Sequence, residues 1–573
     1  MGRAGGGPLM TAAADRAPSG AGGRAAPRAQ PGGARRGLAA LLWLAAALIS
    51  GFTMRRYLEP FDEGLLMQGA SRIVDGQWPY ADFGWPYGPG QPIAVAGLSW
   101  LFDPSVVWWR LLRVAADATA ALAVWALVRP AGPRSAAAAW LAAAVTVAQP
   151  TSANPFPVAL AFALCAVLAA ARNRPVLGGV LAALAVFWRP DIGAVAVVAA
   201  VVALLLAPRA GERRAVLAGE ERGGPRPAGE ESGGSRGAVV AAGVAAVAAA
   251  LLYLPFAVAA GFGTLWDELV GIAAGDGDLW RLPFPLGYDG PLRSWPPSAL
   301  AEDLKDVLGF YLPLAGVVLG ALVLLTLAWR RRPTAELAGV LVLAAGCALY
   351  LLSRPDDLHA QPLIVCLCAA VPLAAARAPG TRETAAGAPR ARETAAGAPP
   401  RVLRAALAAG LALIVLAGAA NRLSALLLPP DLEPVHLAGV PGIRVPPAEA
   451  AALPRLAERV QRLVPRGEPI YVAPRRSDLV TISDPLVHFL VHRPNVLDRD
   501  VSVQALAEEQ ARIVAALRRT GPKAVVRWTD PASARPEPNR RGRPSGSREL
   551  DEYLAAEYRL DSRFGAYDVL VPR

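Results

Sequence analysis

The chain has 573 residues, 54% of them hydrophobic and only 18% charged, with a mean hydropathy of +0.35 and a net charge of +12. Soluble domains carry about a quarter charged residues, so this balance, with its long apolar runs, excludes an ordinary soluble protein and indicates a polytopic membrane protein. The positive charge is nearly all arginine, Lys305 and Lys523 being the only lysines, and it is clustered between apolar runs. Such clusters mark cytoplasmic loops rather than a nucleic-acid surface, so no nucleic-acid partner is expected.

Residues 1–36, rich in Gly, Ala, Pro and Arg, read as a disordered cytoplasmic tail. The run 38–52 that follows Arg35–Arg36 is similar to a signal-peptide core. It lacks a small-residue cleavage site and is followed by many further spans, which favours an uncleaved first helix. Apolar segments then fall at about 37–53, 106–128, 135–149, 156–171, 175–189, 191–207, 237–260, 307–329, 335–353, 361–376 and 403–427. A span needs roughly 20 residues, so several of these are short. Arginine placement tests the count. With the N-terminus inside, the loops 129–134, 172–174, 208–236, 330–334 and 377–402 are cytoplasmic, and each carries arginine. Eleven spans then place the C-terminal region outside the cytoplasm.

Segment 91–102 is apolar but interrupted by Pro92 and Gly97 and followed by Asp103–Pro104. A full crossing there would invert every later arginine loop, so it is expected to be a partial or re-entrant element against the outer leaflet. Residues 208–236 and 382–399, the latter with a duplicated RETAAGAP, are low-complexity linkers. The four cysteines, Cys165, Cys347, Cys366 and Cys368, all lie in apolar segments and offer neither a disulfide framework nor a zinc spacing. Residues 428–573 are richer in Arg, Asp, Glu and Pro, and short apolar runs at 471-YVA, 524-AVVRW and 566-AYDVLV alternate with helical patterns at 502–519 and 547–557. A small extracytoplasmic α/β domain without a nucleophile motif or phosphate loop is expected.

The expected outer loops are 54–105, 150–155, 190, 261–306 and 354–360. A charge near the bilayer costs roughly 2.5–3.5 kcal/mol on insertion scales, so it generally has a partner or a task. Asp62 and Glu63 begin a predicted helix over 62–75, where acids complement the helix dipole. Directly after it, 76-GQWPYADFGWPYGPGQP-92 gathers Trp78, Tyr80, Phe83, Trp85 and Tyr87 in one loop. Aromatic residues are ordinary at a membrane interface. Gly and Pro at this density are not, and a rigid aromatic loop beside carboxylates suits recognition of the C–H faces of a sugar.

The run 62-DEGLLMQGASRIVDGQWPYADF-83, followed by 87-YGPG-90, resembles the first extracytoplasmic loop of the GT-C class of glycosyltransferases. It is similar in particular to bacterial members related to the protein mannosyltransferase and lipid A aminoarabinose transferase families. The resemblance covers about residues 37–427 and is carried by that loop. It implies a GT-C-like helical fold and transfer of a sugar from a polyprenyl-phosphate donor to a glycan, lipid or protein acceptor on the outer face, with inversion. It further implies Asp62 as general base on the acceptor hydroxyl, with Glu63 as its neighbour or substitute; the aromatic loop itself makes Trp78, Tyr80, Asp82, Trp85 and Tyr87 the candidate sugar or acceptor contacts. A positioned carboxylate suits that task, because a hydroxyl is a poor nucleophile until its proton is taken.

A lipid-phosphate leaving group calls for cations at the outer rim. Arg72, Arg110, Arg189, Arg354 and His359 are the candidates. Arg113 and Asp117 are expected to form a structural i,i+4 pair, leaving Arg110 to face phosphate. Arg189, in 188-WRPDI-192, stands at an outer turn where the positive-inside rule expects no arginine. The polar stretch 353-SRPDDLHAQP-362 holds Asp356, Asp357 and His359, which together are also candidates for a divalent cation, though D-D-x-H is no metal signature. The loop 261–306, with Asp267–Glu268, Trp280, Arg281 and Trp295, is a candidate lid. Two other classes compete: a transporter or lipid flippase, which calls for inverted repeats and mid-membrane polar residues, and a non-catalytic envelope scaffold.

Overall fold

The computed structural model describes residues 31–207, 232–271, 281–286, 291–330, 334–376, 401–479, 483–500, 504–534 and 546–573. Most of the expected tail and of the linker 208–236, the whole of the linker 382–399, and Trp280 lie outside them.

The first part of the chain is helical. Its helices are α1 (Pro31–Gly51), α2 (Asp62–Val74), α3 (Gly90–Leu101), α4 (Val106–Val128), α5 (Pro133–Val147), α6 (Phe156–Ala171), α7 (Pro175–Trp188), α8 (Pro190–Leu206), α9 (Ser232–Ala260), α10 (Pro297–Trp329), α11 (Ala335–Ser353), α12 (Asp357–Ala375) and α13 (Arg401–Leu427). Six helical stretches among the described residues are long and apolar enough to cross a membrane: Val106–Ala131, Gly234–Ala260, Pro297–Trp329, Ala335–Ser353, Asp357–Ala375 and Ala408–Leu427. The apolar helices from Arg36, Phe156, Pro175 and Pro190 are shorter. The segment expected to be a partial element is α3, a helix of 12 residues. At about 1.5 Å per residue it is well short of a hydrocarbon core of about 30 Å.

Small side chains let these helices pack closely, as they do between membrane helices generally. Ala118, Ala120 and Ala121 of α4, Ala159, Ala163 and Ala166 of α6, and Ala196, Ala199 and Ala200 of α8 are all buried in one continuous core. Local signals set the helix starts. Ser105 caps α4 by accepting the Val107 N–H at 3.2 Å, Thr334 caps α11, and Pro190 opens α8, where its missing N–H costs nothing.

Beyond residue 428 a small mixed domain follows. Strands β1 (Glu433–Pro434) and β2 (Arg444–Val445) form one antiparallel pair. Strands β3 (Tyr471–Pro474), β4 (Val525–Trp528), β5 (Tyr558–Phe564) and β6 (Tyr567–Pro572) form a sheet ordered β3-β4-β6-β5, parallel between β3 and β4 and antiparallel elsewhere. Helices α14 (Pro447–Leu463), α15 (Leu486–Val491), α16 (Ala507–Thr520) and α17 (Glu549–Glu557) accompany it, α15 and α16 lying in the connection that parallel strands require. The three apolar runs read as strands are β3, β4 and β6. Strand β5 was not foreseen, because YRLDSRF is polar, an edge strand with a bulge between Leu560 and Ser562.

This domain is fastened to α2. Arg72 donates from Nε to Asp500 at 2.9 Å and from Nη2 to the Leu497 carbonyl at 2.6 Å, both side chains being buried. Helix α15 packs on α2 at Gly64, where a Cβ would stand 2.3 Å from the Leu486 nitrogen. Arg499 adds an ion pair to Glu268, in the short helical stretch after α9.

Candidate active site

Glu63 and Arg110 form a fully buried ion pair, both 0% exposed. The guanidinium reaches the carboxylate from Nε at 2.7 Å and from Nη2 at 2.6 Å, while Nη1 and Nη2 also donate to the carbonyls of Met54 and Tyr57. This corrects two expectations. Glu63 cannot serve as a substitute base and Arg110 cannot face a phosphate, because each neutralises the other inside the protein. Arg72 is likewise withdrawn from a phosphate role by Asp500 and the Leu497 carbonyl. Arg113 and Asp117 form the i,i+4 pair expected of them at 2.8 Å, with Ser50 donating to the same carboxylate.

Asp62 is placed differently. It is half-buried at the first turn of α2 and takes no part in the Glu63–Arg110 pair. Dense surrounding protein pushes its carboxyl up to about 6, opposed by the charges of Arg189 and Arg354 and assisted by Asp356. Residues more than a hundred positions apart in the chain therefore act on one carboxylate.

Arg189 sits between α7 and α8, its guanidinium carbon 5.3 Å from the Tyr87 ring centre, 5.1 Å from Phe156 and 4.7 Å from Tyr350. Such distances are within the range of cation–π attraction. Its Nε donates to Asp191 at 3.0 Å and its Nη1 to the Asn154 side chain at 3.3 Å. Asn154 is buried, takes the Phe156 N–H and donates to the Tyr350 hydroxyl at 3.2 Å. Phe156 stacks on Tyr350 at 4.1 Å, and Tyr350 lies 4.4 Å from the His359 ring. Tyr87 approaches because the loop passes tightly over α7: a Cβ on Gly88 would stand 2.3 Å from the Phe187 carbonyl.

The turn before α12 completes the cluster. Asp356 caps α12 through the His359 N–H, contacts His359 Nδ1 at 2.7 Å and accepts from Arg354 Nε at 3.1 Å. Burial opposes its charge, yet the His359 contacts and Arg354 hold it below the usual carboxylate range. Asp357 is exposed and turned to Lys305, 2.5 Å away. Asp356, Asp357 and His359 thus do not converge on one point, and no cluster of three such ligands arranged for a metal ion exists among the described residues. A cavity of about 220 Å³ opens beside this turn, lined by Asp306, Gly309, Phe310, Pro355, Asp356 and Asp357.

The aromatic loop divides. Trp85 is 1% exposed with its N–H on the Gly88 carbonyl, and Tyr80 is buried with its hydroxyl on the Tyr87 carbonyl. Both hold the loop's shape and have no free face for a sugar, which corrects the expectation for them. Asp82 is a turn cap that accepts the Trp78 N–H at 2.7 Å, and the half-exposed Trp78 leans edge-on against Phe256. Of the five, Tyr87 is the one brought to Arg189 and Asp62.

Asn154, Phe156, Tyr350 and Glu59 were not anticipated. The first three are a neutral polar residue and two aromatic residues in apolar surroundings, with no signal to set them apart. Glu59 did carry one, as the first of three acids within five residues at 59-EPFDE-63.

No protein-family profile and no curated protein sequence matches the chain. Among solved structures it is similar to the crystal structure of ArnT from Cupriavidus metallidurans bound to undecaprenyl phosphate, with a TM-score of 0.49 and 13% identity over 94% of this chain and 98% of that one. The apo state of the same protein gives 0.48 and 14% over the same shares. The cryo-EM structure of the arabinofuranosyltransferase AftD from Mycobacteria gives 0.47 and 15% over 94% of this chain and 40% of that one. Likeness at this level leaves the activity to be read from the chain's own residues.

Proposed function

We propose that this chain is a GT-C-type membrane glycosyltransferase that moves a sugar from a polyprenyl-phosphate carrier to a hydroxyl acceptor on the non-cytoplasmic face, with inversion. The observation that supports this reading most is the half-buried Asp62 carboxylate, acted on by Arg189 and Arg354 beside the aromatic surfaces of Tyr87 and Tyr350. In one displacement the bond from the anomeric carbon to the carrier phosphate breaks as the bond to the acceptor oxygen forms. The acceptor proton passes to Asp62, and the released phosphate leaves with its negative charge beside Arg189, Arg354 and His359. The cations act where charge develops, which is the most productive place for them.

We read α1 and α4 to α13 as eleven spans with the N-terminus in the cytoplasm. The arginines of the intervening loops support that order, and α2, α3 and residues 428–573 then lie outside. The test is transfer from a panel of labelled polyprenyl-phosphate pentoses and hexoses to envelope membranes, with the full chain in liposomes. Wild type transfers label, and Asp62→Asn loses about 10²- to 10⁴-fold, the usual worth of a general base. Equal transfer by both forms overturns the reading.

A further inference from the structure

Helix α2 begins after Phe61, which offers no side-chain cap, so its first N–H groups need other partners. Glu59 supplies them. Its Oε1 accepts the Phe61 N–H at 3.0 Å and its Oε2 accepts the Glu63 N–H at 2.7 Å. In return the Glu59 N–H points to Glu63 Oε2 at 3.3 Å, and Glu63 is locked to Arg110 of α4. Arg110 also holds the carbonyls of Met54 and Tyr57, so the whole segment 54–63 is tied to one guanidinium. Asp62 lies between the two N–H groups that Glu59 grips, while its own carboxylate takes no part in the cap.

We propose that Glu59 is a positioning residue for Asp62, clamping the backbone on both sides of it so that the Asp62 carboxylate stays directed to Arg189 and Arg354. This rests on the reading of Asp62 as the base. A reciprocal cap of this kind fixes the entry angle of a helix, and a base displaced by about 1 Å loses rate rather than affinity. The titratable and charged groups facing the pair are Glu63 with Arg110 on the Glu59 side, and Arg189, Arg354, Asp356 and Tyr87 on the Asp62 side. Burial and the charge of Asp62 push Glu59 up to about 8, against about 6 for Asp62. Two carboxyls so coupled release their protons in two steps that belong to the pair.

The experiment compares wild type, Asp62→Asn, Glu59→Gln and Glu59→Asp in the liposome transfer assay across pH 5 to 9. Thermal unfolding and binding of undecaprenyl phosphate are measured on the same preparations. The proposal expects Glu59→Gln to lower kcat about 10- to 100-fold with KM within about twofold, since one N–H loses its acceptor. Its pH profile loses the upper of two steps. Glu59→Asp, too short to reach both N–H groups, also falls in kcat but keeps two steps. If Asp62→Asn is inactive while both Glu59 variants keep the wild-type kcat and pH profile, the positioning role is overturned and the base stands. If Asp62→Asn transfers like wild type, the base assignment fails and this inference with it. Loss in the Glu59 variants that follows lowered melting and lost lipid-phosphate binding, with the pH steps unmoved, also overturns positioning and leaves a folding role.

Discussion

Asp62 must hold a charge in surroundings that resist one, and Arg189 and Arg354 tilt the balance. Because a base works only when ionised, kcat/KM for transfer is expected to rise with pH in the two steps of the Asp62–Glu59 pair, the lower through about 6, and to be lost below it. A pH–rate measurement on the wild type checks the steps. Arg189 offers a second test at this scale. Its flat guanidinium meets three rings and two polar side chains at once, a geometry a lysine ammonium cannot reproduce. Arg189→Lys is expected to raise KM for the lipid donor about tenfold or more at unchanged charge, measured by varying donor in the same assay. The sequence made Asp62 and Arg189 visible, because each is a charge standing where a membrane protein has reason to avoid one. It could not show that Glu63, one residue on, is silenced by Arg110, since that partner lies 47 positions away and only the packing of α4 on the 54–63 segment brings them together.

Helix α2 depends on contacts made far from its own sequence. Removing one member of a buried ion pair strands the other as an unpaired charge, at a cost of about 3–5 kcal/mol, whereas replacing both by apolar residues can be nearly neutral. Arg110→Leu is therefore expected to lower the melting temperature sharply, and Glu63→Leu with Arg110→Leu to recover most of it. Calorimetry in detergent distinguishes the two. The long apolar helices were legible because hydropathy alone demands them, and α3 because Pro92, Gly97 and Asp103–Pro104 cut its run short. The start of α2 at Asp62 was legible from its acids, its cap by Glu59 was not, since a side chain that reaches forward past a proline leaves no periodic trace.

For the molecule as a whole, the C-terminal domain is a structural partner of α2 and not an appendage on a tether. Within it, Asp484 is buried, accepts the Tyr567 hydroxyl at 2.7 Å and is pushed by burial up to about 7. The native state thus holds this proton more tightly than the unfolded chain, where an aspartate titrates near 3.9. The stability it contributes is full below that value and is lost as pH rises through about 7. Melting of this domain is expected to fall from about pH 4 to about pH 7 in wild type and to flatten over that range in Asp484→Asn, measured by thermal scans at each pH. The proposed eleven spans put residues 428–573 outside the cytoplasm. A reporter fused after Arg573 that matures only outside the cytoplasm is expected to be active, and a cytoplasmic fluorophore fused there dark. Strands β3, β4 and β6 of this domain were readable from β-branched and aromatic runs, whereas the polar β5 was not. The domain's attachment to α2 was not, because Arg72, read alone, is one more arginine at a rim.

The bond between Arg72 and Asp500 joins residues 428 positions apart. On the ribosome, α2 emerges with its guanidinium met by nearby Gln77 and the Phe83 ring but not yet by Asp500, and with the groove at Gly64 bare, and it stays so until residues 486–500 have been threaded and the last domain has closed over it. On the proposed function, forms that end before Asp500 are expected to be inert towards lipid-linked sugars, so that competence is acquired late in maturation.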